Sequence, residues 1–184
     1  MSKVLLSVPY FSQVNNATEY HGAGYRQCNL TVHAMAIDFL TKGALSKKAK
    51  ELGFCEPESY YGKLLAKYGD TIQHPPHTQC IAQEFGIESE WRYNLRKTDL
   101  ITQLDKQIPV PMGVAYKEGG HIILAVGYEE AGLLVHDPYG VRHGALNRYD
   151  VGVKGANDRY TWNLLNQIYW DQGSNSGWGR IFVQ

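Results

Sequence analysis

The chain has 184 residues, 43% of them apolar, and its 18 basic and 18 acidic side chains cancel to a formal net charge of zero at pH 7. That length builds one sizeable core, and the composition excludes a largely disordered chain. The charge balance leaves no overall field to draw the protein to nucleic acid or an anionic membrane. No apolar run approaches the ~20 residues that span a bilayer, and the N-terminal stretch is interrupted by Pro9 and followed by no small-residue cleavage site. The expectation is a single domain over residues 1–184, monomeric, made in the cytoplasm without a signal peptide. Cys28, Cys55 and Cys80 are an odd and sparse set, so they read as reduced thiols and not as a disulfide framework.

Taken in chain order, residues 4–11 read as a strand or extended arm, and 14–24 as a polar loop. Across 29–40, Leu30, Ala34, Ala36, Ile37, Phe39 and Leu40 give a broad apolar face at helical spacing, with Gly43 as the stop. Cys28 then stands at the first turn of the best helix in the protein. Residues 59–67 and 78–85 have helical composition ending at Gly69 and Gly86, and 87–93 reads as a strand. Thr98 reads as the N-cap of a short helix. Three β-branched stretches bounded by glycine, 108–115, 121–128 and 133–136, read as strands, the last two joined by a hairpin-like Glu-Glu-Ala-Gly. Asp137-Pro138-Tyr139-Gly140 closes the hairpin with turn chemistry. The tail is polar and glycine-rich, with a helix at 160–170 and a strand at 180–183. Helices first and an antiparallel sheet after them make an α+β fold.

A thiol is nucleophilic only as thiolate, and a helix N-terminus or a neighbouring imidazolium favours that anion. Cys28 meets the first condition by position. Cys55 stands beside Glu56, which opposes ionisation, and Cys80 falls inside a helix as a buried or half-buried residue. His121 opens a strand directly after Gly119-Gly120, and Asp137 ends its partner strand. Side chains on paired strands share a face only in the right register. For residues 121 and 137 this demands an odd loop or a bulge around 129–132.

Segments 8–13 (VPYFSQ), 27–36 (QCNLTVHAMA), 120–128 (GHIILAVGY) and 135–138 (VHDP) resemble, in order, motifs of cysteine peptidase family thirty-nine. That is the bacteriocin-processing, double-glycine peptidase-like group of the papain-like clan. The resemblance implies a papain-like fold with N-terminal helices packed on an antiparallel sheet. It also implies a triad of Cys28, His121 and Asp137, with Gln13 lending its side-chain amide to the oxyanion hole and Gln27 as the fallback donor. No cofactor is implied. Asn29 follows the cysteine where many members have glycine. Segment 175–182 (NSGWGRIF) resembles the ends of phage-borne members, which are cell-wall lysis enzymes. From that analogy the expected substrate is the peptidoglycan stem peptide, reached after the protein's release.

Alternative readings stand beside this one. The triad serves equally a general or bacteriocin-leader-processing thiol peptidase, and a silent papain-like binding module would keep the fold without turnover. Cys28 on its own reads as a small core residue. His74, His77 and Cys80 have spacings compatible with zinc, or form a polar loop running into a helix. His136 and His143 read as surface residues. Trp178 and Tyr139 read as cleft lining or as packing.

Overall fold

The structure is a computed structural model and describes residues 3–17, 19, 21, 22, 24–116, 119–143 and 148–183. Positions 18, 20 and 23 of the expected loop lie outside the described residues. In chain order the elements are β1 (Val4–Leu5), α1 (Cys28–Leu40), α2 (Ala44–Glu51), α3 (Pro57–Leu65), α4 (His74–Phe85), β2 (Glu88–Leu95) and α5 (Lys97–Asp105). There follow β3 (Val110–Tyr116), β4 (Gly119–Glu129), β5 (Gly132–Asp137), β6 (Val141–Arg142), β7 (Tyr149–Asp150), β8 (Gly155–Thr161), α6 (Trp162–Ile168) and β9 (Gly177–Val183). Four helices thus precede most of the sheet, and the fold is α+β.

The main sheet is antiparallel in the order β2-β9-β3-β4-β5-β8, and β1 adds to β4. β3 stops pairing with β4 at Ala125, and β1 takes over at Gly127 and Tyr128. Helix α1 packs on β4 and β3 and is also covered by the other early helices. Every residue from 29 to 38 is therefore buried. Ala34 and Ala36 let neighbouring backbones close in, while Val32, Met35 and Ile37 fill the core. A helix covered on all sides needs more than one apolar stripe, and this one also buries Asn29, Thr31, His33 and Asp38.

Each of those polar groups has a structural use. Asp38 accepts from the Ser46 backbone N–H and hydroxyl, both at 2.8 Å, and so fixes the start of α2. His33 Nε2 accepts from Arg180 Nε at 2.7 Å, while its Nδ1 lies 2.8 Å from the Asn29 carbonyl. Arg180 is fully buried and also donates to the Thr78 and Ser89 hydroxyls and the His74 carbonyl. This one guanidinium joins β9 to α1, α4 and β2. Burial lowers its pKa to about 10, which still leaves it charged at neutral pH, and burial likewise holds His33 in its neutral, accepting form.

Some local expectations need correction. Thr98 is not an N-cap. The cap is Arg96, whose backbone N–H is taken by Asp99 at 2.7 Å. Helix α2 and strand β8 were not expected. In α2 only Leu45 and Ala49 are buried, too thin a stripe to stand out among lysines. In β8 only Gly155 and Tyr160 are buried, because β8 forms the edge of the sheet. His136 is buried, not a surface residue: its Nε2 meets the Val8 carbonyl at 3.0 Å and its Nδ1 accepts from Asn157 N–H.

Replacing Arg180 by Ala strands three side-chain acceptors and a carbonyl in a buried site. A loss of about 3 kcal/mol is expected from the urea midpoint. A loss under ~1 kcal/mol, the range of an exposed pair, would contradict the role assigned to it.

Candidate active site

Cys28 is the first residue of α1 and is half-buried. The N-cap, Gln27, makes no side-chain cap bond, and no acidic residue occupies the first turn. The orphan N–H groups of the helix start are therefore free to favour an anion there. Burial by itself pushes the Cys28 thiol up. A hydrogen bond and charge from His121 work against it, helped by the backbone N–H groups of Ile122 and Asn29, and the net is a lowered pKa. Cys55 is exposed, and Cys80 is buried with its thiol pushed up to about 12 by burial and Glu84. Cys28 is thus favoured as a thiolate.

His121 comes from β4 and Asp137 from the end of β5. The loop between these strands is a two-residue turn, with Glu129 paired to Gly132, and alone it would put the two residues on opposite faces. A bulge at Val126 corrects the register: below it Gly127 pairs with Leu134, and above it Ala125 pairs with Val135. The bulge sits inside β4, not around 129–132. The Val126 carbonyl accepts from Leu6 N–H at 2.8 Å, so the bulge is fixed by the docking of the N-terminal arm. A Cβ on Gly127 would collide with the Val4 carbonyl, so this crossing requires glycine.

With that register, His121 Nε2 lies 2.7 Å from Asp137 Oδ1, and the imidazole and the Cys28 thiol act on each other's ionisation. Asp137 is fully buried yet completely satisfied. Oδ1 also accepts from Tyr139 N–H at 3.0 Å, and Oδ2 accepts from the hydroxyls of Tyr149 at 2.8 Å and Tyr160 at 2.7 Å. Burial would raise the carboxyl, but His121 and these donors outweigh it and the pKa is lowered. His121 feels the converse. Burial disfavours its charge, yet Asp137 and then Cys28 raise its pKa to about 10. The arrangement therefore supports a thiolate–imidazolium pair anchored by a buried carboxylate.

Gln13 is buried and donates through Nε2 to the Gly24 carbonyl at 3.0 Å, while its Oε1 has no partner among the described residues. Its backbone N–H donates to the Pro138 carbonyl at 2.9 Å, tying the arm to the turn after Asp137. Gln27 is committed elsewhere: its Nε2 donates to the carbonyls of Ala17 and Gly22. Thus the fallback donor is occupied in stapling the loop.

A cleft of about 370 Å³ opens at Cys28, with Trp178 and Gly120 on its sheet side. Trp178 lies across β3 and β4, where a Cβ on Gly113 or Gly120 would strike its ring. His74 stacks on Trp91 at 3.6 Å, with Trp178 edge-on to both. A second depression of about 380 Å³, lined by Ser12, Glu56, Glu58 and Tyr139, lies beyond Gln13. Tyr139 stands edge-on to His121 at 6.2 Å. Sequence reasoning missed the two tyrosines that satisfy Asp137 Oδ2, since their strands lie in the polar tail. His77 Nδ1 meets the Tyr61 hydroxyl and its Nε2 the Thr71 carbonyl. Among the described residues His74, His77 and Cys80 form no metal-binding cluster.

Tyr160→Phe removes one donor from a buried, charged acceptor. It should cost about 2 kcal/mol in unfolding free energy at pH 7. Because the Asp137 pKa is depressed in the fold, its contribution is present above the unfolded carboxylate value and fades as pH falls through the folded one. The deficit of the variant should accordingly shrink in acid; a pH-independent deficit would contradict the ionised state of Asp137.

A model of the Peptidase_C39 like family matches residues 5–169. The crystal structure of a Bacillus anthracis protein assigned as a C39-like peptidase superposes with a TM-score of 0.58 at 13% identity, covering 100% of this chain and 98% of that one. At that identity the likeness speaks for the fold alone. No curated protein matches the sequence. The family match takes in the N-terminal arm, the Cys28 helix and the hairpin bearing His121 and Asp137, and the chain belongs to the Peptidase_C39 like family.

Proposed function

We propose that the protein is a cysteine peptidase with Cys28 as nucleophile, His121 as base and acid, and Asp137 as the group that orients and charges His121. The observation that supports this most is His121 bonded to buried Asp137 on one side and acting on the ionisation of Cys28 on the other, within a family of peptidases. The thiolate attacks a peptide carbonyl carbon, and the oxyanion is met by the second N–H of Gln13 Nε2 and the helix start. The imidazolium gives its proton to the departing amine as the C–N bond breaks, leaving a thioester. Neutral His121 then takes a proton from water, the resulting hydroxide adds to the thioester, and the thiolate leaves with the ion pair restored.

The substrate we propose is the peptide moiety of peptidoglycan, so that the protein acts as a phage endolysin-type enzyme on the cell wall. The likeness of segment 175–182 to phage-borne lysis enzymes supports this reading. In the structure that segment opens β9 and supplies Trp178 to the cleft beside Cys28. No helix among the described residues is long and apolar enough to cross a membrane.

Mass spectrometry of fragments released from purified peptidoglycan tests the substrate. New amino and carboxyl termini within the stem peptide are expected, and none with Cys28→Ala at unchanged circular dichroism. Release by the folded Cys28→Ala protein would contradict the mechanism, and cleavage confined to ordinary peptides would contradict the substrate.

Activity should trace a bell in pH. The acid limb follows protonation of Cys28 and the alkaline limb deprotonation of His121 near pH 10. Asp137→Asn removes the charge that raises His121. The plateau should therefore narrow from both sides, and kcat should fall by roughly 10²-fold or more. An unshifted profile would remove Asp137 from the mechanism.

A further inference from the structure

The cleft at Cys28 has a chemical bias that the nucleophile does not explain. Resting on the peptidase reading, we infer that it binds a substrate segment bearing a carboxylate, with Arg26 pairing to that anion and Asn29 Oδ1 accepting a backbone N–H of the same segment. Arg26 stands two residues before Cys28, lines this cleft, is exposed, and has no ion-pair partner among the described residues. No acidic side chain is among the described residues that line the cleft. Glu56 and Glu58 belong to the depression beyond Gln13. The other basic side chain among the described lining residues, His74, is held neutral at pH 7, its pKa lowered to about 4 by burial and by Arg180. Arg26 is therefore, among the described residues that line the cleft, the side chain with a permanent positive charge to offer a ligand.

Asn29 supplies the second, independent observation. It is 4% exposed and lines the same cleft. Its Nδ2 donates to the Thr71 carbonyl at 2.7 Å, which fixes the orientation of the amide. Oδ1 is then a buried acceptor with no donor among the described residues. A purely structural staple between α1 and the loop at Thr71 needs only the nitrogen. The oxygen has no such use, and a buried acceptor rewards a ligand N–H that reaches it. Tyr25, 70% exposed, and Ile72, 57% exposed, line the cleft as apolar surfaces for the segment between these two polar anchors.

The test uses the full chain and peptide pairs that differ only by Glu or Gln at each position around the cut. It adds stem-peptide fragments with free or amidated carboxylates, to separate an acidic side chain from a cell-wall source. At one position the acid should be preferred in kcat/KM by about fivefold, the preference should fall with added salt, and Arg26→Glu should invert it. Replacing the peptide N–H by an ester oxygen, position by position, should cost the wild type about tenfold at one position and the Asn29→Ala protein almost nothing there. Alkylation of Cys28 by iodoacetamide checks that each variant keeps its nucleophile. Equal cleavage of Glu and Gln members by wild type and Arg26→Glu, or an ester penalty unchanged in Asn29→Ala, would overturn the inference while leaving the peptidase reading intact. Failure of the wild type to cleave any substrate would overturn both.

Discussion

A carboxylate that remains ionised inside the protein is the condition for everything else in this site. Asp137 has no contact with solvent, so it is charged only because four donors surround it, two on each oxygen. Those donors come from β4, the turn after β5, β7 and β8. The charge on Asp137 sustains the charge on His121, and the charge on His121 sustains the thiolate at the start of α1. The proposed chemistry thus depends on the sheet being assembled out to its edge strand, although the proposed nucleophile sits on a helix.

The register of one hairpin is the geometric counterpart of that electrostatic chain. Its two-residue turn is a favourable connection, but it sets the wrong parity for His121 and Asp137. The Val126 bulge restores it, and the bulge is held by Leu6 of the N-terminal arm. The same arm continues to Gln13, whose backbone bonds the Pro138 carbonyl. One segment therefore fixes the parity of His121 and Asp137 and presents the amide proposed for the oxyanion.

Much of this was legible in the sequence. Cys28 at a helix start followed from the apolar spacing of residues 30–40, and the need for an irregular hairpin followed from the parity of 121 and 137. The position of the bulge was not legible, because it is decided by a strand more than a hundred residues earlier in the chain. Tyr149 and Tyr160 were hidden for a similar reason: edge strands alternate weakly, and a polar, glycine-rich tail gives little period to read. The Arg180 network escaped notice because its partners lie on three elements scattered between residues 33 and 89. Asn29 was visible only as a departure from the family's usual glycine, and its two amide ends acquire meaning only beside Thr71 and the cleft.

The ionisation of Cys28 is most directly measured by alkylating the native protein over a range of pH and comparing Cys28 with Cys55 by peptide mass spectrometry. Cys55 is the exposed internal reference within the same chain. Cys28 should outpace Cys55 at the acid end of that range, and His121→Ala should abolish this advantage. The same pH dependence for the two alkylation rates, or an advantage that survives loss of His121, would contradict a thiolate held by His121.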